Sequence, residues 1–193
     1  MPTIPAPFVL EPSQWIGNNG NWTSFLLGVG TPPQYFEVLP STLSSELWIP
    51  VPEGCTWIPS SVLPDCGASR GVQADKSPQS LGFLSNESTT WSQIQVETLG
   101  TEQNLYGSTQ TGLYGLDTVG FGSEQSGFTL PEQVVAGIAT QDFWIGSMGL
   151  ATNPSQFETV SQNVSSLLPS MKSANHTPSN SFGYTAGASY RRQ

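Results

Sequence analysis

The stretch "VLPSTLSSELWIP" (38–50) joins two apolar runs through a short polar segment. The first run ends at Pro40 and the second begins at Leu47, so only six residues lie between them. Short runs containing Val, Ile and Trp favour β-strands, and clusters of Ser and Thr between such runs favour turns. The stretch therefore predicts a β-hairpin: a strand, a tight turn that contains Ser41 and Leu43, and a second strand.

The composition extends this β prediction to the whole chain. Its 193 residues include 20 Gly and 16 Pro, and only 10% are charged. Gly and Pro interrupt helices, whereas Thr, Val and aromatic residues fit pleated sheets. Apolar spacing near 3.6 residues occurs over 155–174, where we predict one short helix that stops near Pro169. We therefore predict an all-β protein, with a chain long enough for one sizeable core.

The charge balance argues against nucleic acid as a partner. Five Lys and Arg residues against 14 Asp and Glu residues give a formal net charge of -9. Such a chain repels a phosphate backbone and offers no basic patch that could release its counterions. The one histidine, His176, and two cysteines provide too few ligands for a zinc site if the cysteines are paired. We predict no metal and no other cofactor.

Cys55 and Cys66 lie eleven residues apart in a loop rich in Pro and Gly. A disulfide between them would close a short irregular segment and stabilise the fold by roughly 2–3 kcal/mol. Two free, buried thiols are the alternative.

Four N-x-[ST] sequons predict N-glycosylation. Their asparagines are Asn21, Asn86, Asn163 and Asn175. Together with a disulfide they favour a secreted protein or a domain on the extracellular face of the plasma membrane. The N-terminal stretch lacks the pattern of a signal peptide, so we expect a signal to have been removed, and a membrane anchor downstream of residue 193 is compatible with this sequence.

Five stretches, in order along the chain, resemble the N-terminal lobe of the pepsin-like aspartic proteases, and of fungal members in particular. They are "FLLGVGTPPQYFEV" (25–38), "STLSSELWIP" (41–50), "LYGSTQTGLYGLDTV" (105–119), "WIGSMGLA" (144–151) and "NSFGYTAGASYR" (180–191). In that family they are, respectively, the opening strand and turn, the active-site loop, the flap hairpin, the segment that crosses behind the active-site loop in a ψ-shaped arrangement, and the strand leading to the second lobe. The resemblance implies a pepsin-like lobe with a flap hairpin over residues 1–179, and a strand over 180–193 that leads towards an absent second lobe or a downstream region.

The resemblance breaks at the residue that gives the family its chemistry. The family's loop carries Asp-Thr-Gly-Ser-Ser, and this chain has Ser41 in place of the Asp and Leu43 in place of the Gly. Aspartic proteases need two nearby carboxylates that share a proton, and a serine hydroxyl cannot supply one of them. We therefore predict that the chain has no catalytic residues and is not an enzyme.

The resemblance also implies a peptide cleft. Tyr106, Gly107 and Ser108 match the flap, Ser41 lies on the cleft floor, and Trp48 matches the tryptophan whose indole hydrogen-bonds the flap tyrosine in the family. The alternative is that both aromatic rings simply fill the core.

Three interpretations of function stay open. The first is an inactive, extracellular pseudoprotease domain, for example in a surface sensor, that binds a peptide, a protein or a cell-wall component. The second is the N-terminal half of an aspartic endopeptidase that needs a second lobe or a partner copy in a homodimer. The third is a structural spacer that recognises nothing.

Overall fold

The structure is a computed structural model. It describes residues 4–16, 22–73, 81–107, 109–122, 127–157 and 160–184.

Ten β-strands and a few short helices make up the described part of the chain. The strands are β1 Gln14–Ile16, β2 Trp22–Val29, β3 Gln34–Ser41, β4 Leu47–Pro50, β5 Ser92–Thr98, β6 Thr111–Phe121, β7 Thr129–Ile138, β8 Gly146–Gly149, β9 Ser155–Phe157 and β10 Val160–Val164. The α-helices are α1 Glu53–Thr56, α2 Cys66–Ser69, α3 Gly100–Tyr106 and α4 Leu167–Ser173, and a 3₁₀ turn spans Ser85–Glu87. This architecture confirms the mostly β class.

Eight of these strands form one large mixed sheet. Their order is β1-β2-β3-β8-β4-β7-β6-β5, and β2 also pairs with β6. Strand β8 is parallel to β3, and β7 is parallel to β4, while the other pairs are antiparallel. Strands β9 and β10 form a separate antiparallel pair.

The two strands predicted from 38–50 form, but they do not pair with each other. Strand β8 lies between them, with Gly149 opposite Ser41 and Met148 opposite Leu47. A direct hairpin is therefore the wrong reading of this stretch, because the segment around 146–149 supplies the hydrogen bonds that the two strands would otherwise exchange. The resulting crossing is the ψ-shaped arrangement that the resemblance implied.

Two apolar clusters surround the sheet. The larger cluster packs the inner residues of β2 and β3 against α4, and includes Leu27, Phe36, Val38, Ile49 and Leu168. The smaller cluster includes Trp48, Leu99, Tyr114, Ile138 and Phe157. The smaller cluster contains Trp48, one of the two aromatic residues that the sequence placed at the site.

The single helix predicted over 155–174 is wrong in its extent and in the number of helices. Residues 155–164 form the β9–β10 pair, and α4 begins only at Leu167. Buried Ser155 and Phe157 alternate with exposed Gln156, which is the period of a strand. Pro169 does not stop this helix but lies in its first turn, where a missing N–H costs no hydrogen bond.

The predicted flap hairpin has its first arm in a different place. Residues 100–106 form α3 rather than a strand, and β6 pairs instead with β5, with Thr98 opposite Thr111. Helix α3 ends at Gly107, whose φ of +69 suits the left-handed conformation that closes a helix. The hairpin therefore exists as β5–β6, and a short helix forms most of its tip.

The proposed boundary at residue 179 stays a prediction. Residues 181–184 carry no regular secondary structure, and 185–193 lie outside the described residues. No helix within the described ranges is both long and apolar enough to cross a lipid bilayer.

Candidate functional site

Ser41 is the last residue of β3 and is held by the loop that follows it. Its Oγ accepts a hydrogen bond from the backbone N–H of Leu43 at 3.3 Å. Its carbonyl accepts one from the N–H of Leu150 at 2.7 Å, and Ser44 is bound in the same way by Ala151 at 3.0 Å. The ψ crossing thus fixes the backbone of the loop, and the Ser41 hydroxyl is used within it.

Leu43 points away from the core. Its side chain is 64% exposed, although it stands two residues from Ser41 in a loop that is otherwise tied to β8. A leucine this exposed contributes little to the stability of the lobe, since most of its apolar surface stays in water. It adds an apolar surface to the loop that follows Ser41.

Trp48 is buried, with 1% of its surface exposed, and its hydrogen-bond partner is Glu46. The indole Nε1 donates to Glu46 Oε2 at 3.2 Å, and the Tyr114 hydroxyl donates to the same oxygen at 3.1 Å. Burial, reinforced by Glu46, raises the pKa of Tyr114 above its usual range. Glu46 therefore satisfies two polar groups that the apolar cluster would otherwise leave without an acceptor.

Tyr106 lies at the end of α3 and is 61% exposed, and its ring contacts the ring of Phe143. The two ring centroids are 5.8 Å apart in an edge-on arrangement. Phe143 in turn lies 5.0 Å from Trp48, also edge-on. We call these three residues, Tyr106, Phe143 and Trp48, the aromatic row. The hydrogen bond between Trp48 and Tyr106 that the resemblance implied is replaced by Phe143 between them.

The remaining predicted ligand-binding residues are distributed around this row. Gly107 directly follows Tyr106, and Ser108 lies outside the described residues. Ser41 and Trp48 lie on opposite sides of β8, paired with Gly149 and Ser147, respectively.

Sequence reasoning missed Glu46, Tyr114 and Phe143. Glu46 could have been found, because residues i and i+2 in an extended segment project to the same side and Glu46 precedes Trp48 by two. Tyr114 and Phe143 approach only through the pairing of β6, β7 and β4, which no local pattern reveals.

The segment 139–145 carries Phe143 and also holds α3. The Thr140 hydroxyl donates to the carboxylate of Glu102, which is fully buried in α3. The same hydroxyl oxygen accepts from the Asp142 N–H at 3.1 Å. The segment therefore contacts the tip of the β5–β6 hairpin at two points, Glu102 and Tyr106.

An apolar pocket of about 530 Å³ lies behind the ψ crossing rather than beside the aromatic row. Residues 7–10 near the N-terminus and residues 177–179 and 181–184 line one part of it. Pro40, Met148 and Leu150 line it from the sheet.

Cys55 and Cys66 form the predicted disulfide, which excludes the alternative of two free thiols. Three of the four sequon asparagines, Asn86, Asn163 and Asn175, are exposed, and Asn21 lies outside the described residues. Their glycosylation stays a prediction.

No curated protein sequence matches this one. The family model "Eukaryotic aspartyl protease" matches residues 25–187, which is well over half of the chain. The matched region contains the ψ crossing, the Ser41 loop, the β5–β6 hairpin and the aromatic row. This chain therefore belongs to the eukaryotic aspartyl protease family.

Proposed function

We propose that this member of the family is catalytically inactive and works as a binding domain. The observation that carries the proposal is Ser41, which occupies the position of the family's catalytic Asp and whose Oγ is hydrogen-bonded by Leu43 of its own loop. The family's reaction needs a carboxylate from each lobe, with one proton shared between them, to act in turn as base and acid. A hydroxyl has no anionic form at neutral or acidic pH and cannot take either role.

Leu43 supports the same proposal. A glycine at this position lets a partner loop approach closely, whereas a branched side chain prevents that approach. Because the Leu43 side chain is exposed, a second loop brought to this place would meet it directly. Two residues of one short loop thus oppose the geometry of catalysis.

The ligand face we propose is the aromatic row together with the exposed part of α3. Tyr106 offers a largely exposed ring whose far side is supported by Phe143, and Trp48 supports Phe143 from the core. Supported aromatic rings bind extended chains well because they offer a large contact area at a low cost in side-chain entropy. A peptide, a protein segment or a cell-wall component is the expected ligand class, with a surface sensor as the setting.

The disulfide and the sequons support a secreted protein or one on the extracellular face of the plasma membrane. Structural disulfides form and persist in oxidising compartments. The net charge of -9 supports a partner other than nucleic acid.

The test is retention of a random peptide library, with wall-derived fragments added, on the immobilised 193-residue chain between pH 4 and pH 7. Mass spectrometry identifies what is retained and whether it is intact. Tyr106→Ala and Phe143→Ala are the test variants. Trp57→Ala is the matched control, because Trp57 is an aromatic residue that is 84% exposed in a different part of the fold.

Intact ligands held by the wild type and the control, and lost at least tenfold from both test variants, are the expected result. Cleaved peptides would overturn the inactive reading. Equal retention by all four proteins would overturn the ligand face, and retention by none would favour the spacer.

A second candidate is supported by the apolar pocket behind the ψ crossing. Phe182 and Tyr184, which line this pocket, are 45% and 44% exposed. Such a surface suits a second lobe or a second copy of the chain. Light scattering of the purified chain decides this: a dimer that Phe182→Asp converts to a monomer supports it, and a monomer at every concentration argues against self-association.

A further inference from the structure

Arg70 is a cation with none of its surface exposed. Its Nε donates to the Trp144 carbonyl at 3.2 Å, and its Nη2 donates to the carbonyls of Ile138 and Thr140 at 3.3 and 3.1 Å. Its Nη1 is buried and has no partner among the described residues. All three acceptors belong to the end of β7 and the segment 139–145, which carries Phe143.

A cation in this position is expensive to bury. Neutral carbonyls surround it, and no ion pair with a carboxylate is described for it, so its lost hydration is offset only by dipoles and one aromatic face. Burial accordingly lowers the pKa of the Arg70 guanidinium. A methionine would fill a similar volume without that cost, so what arginine adds here is its planar set of donors, which can bind several carbonyls at once.

The contact between Arg70 and segment 139–145 is reciprocal. The guanidinium carbon lies 5.3 Å from the centroid of the Trp144 ring, a cation–π distance. The Trp144 indole Nε1 donates back to the carbonyl of Ser69 at 2.9 Å. Two side chains therefore join residues 69 and 70 to the segment: Arg70 binds carbonyls of the segment, and Trp144 of the segment binds the Ser69 carbonyl.

The disulfide loop holds Arg70 in place. Arg70 directly follows α2, and its backbone N–H donates to the carbonyls of Cys66 and Gly67 at 3.1 and 3.0 Å. Cys66 is bonded to Cys55 in α1. Next to Cys55, a Cβ on Gly54 would lie 1.3 Å from Arg70 Nη1, so α1 leaves space for the guanidinium only by having no side chain there.

The other end of segment 139–145 reaches the proposed ligand face. Thr140 binds Glu102 in α3, and Phe143 lies under Tyr106 and against Trp48. A chain of direct contacts thus runs from the disulfide through Arg70 to both supports of the hairpin tip.

We infer that Arg70 is a positioning residue of the ligand face: it fixes segment 139–145 on the disulfide loop, and this sets where Phe143 and α3 hold Tyr106. The inference rests on the proposed function only for its consequence in binding. Its structural part stands on the contacts of Arg70 alone.

The test combines hydrogen exchange by mass spectrometry with peptide retention, on the full chain with its disulfide intact. Arg70→Met keeps the volume and removes the donors. Met171→Ala is the matched control, because it removes buried apolar contacts in α4, a part of the larger core cluster that makes no described contact with Arg70. If Arg70→Met does not fold, Trp144→Phe replaces it, since this change keeps a six-membered aromatic ring and removes the hydrogen bond to Ser69.

In Arg70→Met we expect amides of 139–145 and 100–107 to exchange at least tenfold faster, with β2 and β3 unchanged, and ligand retention to fall at least tenfold. Relative to the wild type, Met171→Ala should show no selective increase in exchange at 139–145 and 100–107. Arg70→Lys keeps a positive charge but not the planar set of donors. Its exchange rates and its ligand retention should therefore resemble those of Arg70→Met rather than those of the wild type.

Uniform exchange across Arg70→Met, or recovery of both readouts by Arg70→Lys, would overturn the inference. Selective exchange without any loss of retention would overturn its link to binding. If the wild type itself retains no ligand, the proposed function fails, and the exchange data still decide whether Arg70 positions the segment.

Discussion

Trp48 donates its indole N–H to the carboxylate of Glu46, two residues earlier, at 3.2 Å. The same oxygen accepts the hydroxyl of Tyr114 from β6 at 3.1 Å. One carboxylate just before β4 therefore joins two aromatic residues of the smaller cluster, and Tyr106 has no described hydrogen bond to this carboxylate. The Tyr106 ring is consequently linked to Trp48 by ring contacts through Phe143 rather than by a hydrogen bond.

Replacing Glu46 should destabilise the fold. Glu46→Ala leaves two buried donors without an acceptor, at a cost of about 1–3 kcal/mol in unfolding free energy. Glu46→Gln keeps one acceptor oxygen and should lose less. Urea unfolding followed by tryptophan fluorescence measures both. Glu11→Ala, at an exposed carboxylate, is the control, and a Glu46→Ala midpoint equal to that of the control would contradict this reading.

Tyr114 should make the protein sensitive to alkali. Burial raises its pKa in the folded state above the value of about 10 in an unfolded chain. Its contribution to stability is complete below pH 10, and it is lost as the pH rises further, because the unfolded chain then releases a proton that the folded chain keeps. At pH 11 this loss amounts to about 1 kcal/mol.

Urea midpoints between pH 8 and pH 11 test the alkali effect. Tyr114→Phe should flatten the decline that the wild type shows in this range. Tyr106→Phe changes an exposed phenol and should leave the decline as it is. Parallel curves for the wild type and Tyr114→Phe would show that another group is responsible.

Gly149 should tolerate no side chain at the ψ crossing. A Cβ there would lie 2.5 Å from the backbone N and O of Glu46 and 2.7 Å from the carbonyl of Ser44. Backbone atoms held by β8 cannot withdraw, so Gly149→Ala should lower the unfolding free energy by roughly 1–3 kcal/mol or more. Gly100→Ala is the matched control, because nothing lies within 4 Å of its Cβ position at the start of α3.

In Gly100→Ala we expect unchanged or slightly higher stability, since alanine is the better helix former. Thermal unfolding by circular dichroism compares the two variants. Equal melting temperatures would mean that β3, β8 and β4 can separate without cost, which contradicts the sheet order.

The strands near Ser41 were predictable because apolar runs bounded by Pro, Gly and Ser mark strand and turn positions without reference to the rest of the chain. The disulfide was predictable for a similar reason, since both cysteines lie in one loop. The order of the strands in the sheet was not predictable, because β8 lies between β3 and β4 but comes about a hundred residues later in the chain.

The site was predictable only in part. Trp48 and Tyr106 were named by resemblance, but Phe143 between them and Arg70 behind them depend on tertiary contacts. The burial of Arg70 was especially hard to predict, since an arginine in a Pro- and Gly-rich loop is ordinarily exposed. Helix α3 was missed because its anchors, buried Leu99 and Glu102, are visible only in the folded chain.

Removing the disulfide should lower the unfolding free energy by about 2–3 kcal/mol, as its eleven-residue separation predicts. Cys55→Ser with Cys66→Ser tests this without scrambled bridges, because the chain has only these two cysteines. The wild type in reducing buffer should lose a comparable amount in urea unfolding. If the urea midpoint is the same in the double variant, in the reduced wild type and in the oxidised wild type, α1 and α2 are held without the disulfide.

The sequon at Asn86 allows glycosylation and folding to be separated. Asn86 is exposed in the 3₁₀ turn, but Ser88, the third residue of the sequon, is buried. The Ser88 hydroxyl donates to Asp117 Oδ1 at 3.1 Å and accepts from the Thr31 N–H at 3.1 Å.

We expect a glycan on Asn86 in protein secreted from a eukaryotic host. Asn86→Gln and Ser88→Ala should therefore both remove one glycan mass, measured by intact mass spectrometry. Only Ser88→Ala should also lower the unfolding free energy, by about 1–2 kcal/mol, because it leaves the Thr31 N–H without its acceptor and takes a donor from Asp117. This comparison is made after enzymatic deglycosylation, so that the glycan itself does not contribute. No mass change in either variant would show that Asn86 is not modified and that Ser88 is retained for the Asp117 network alone.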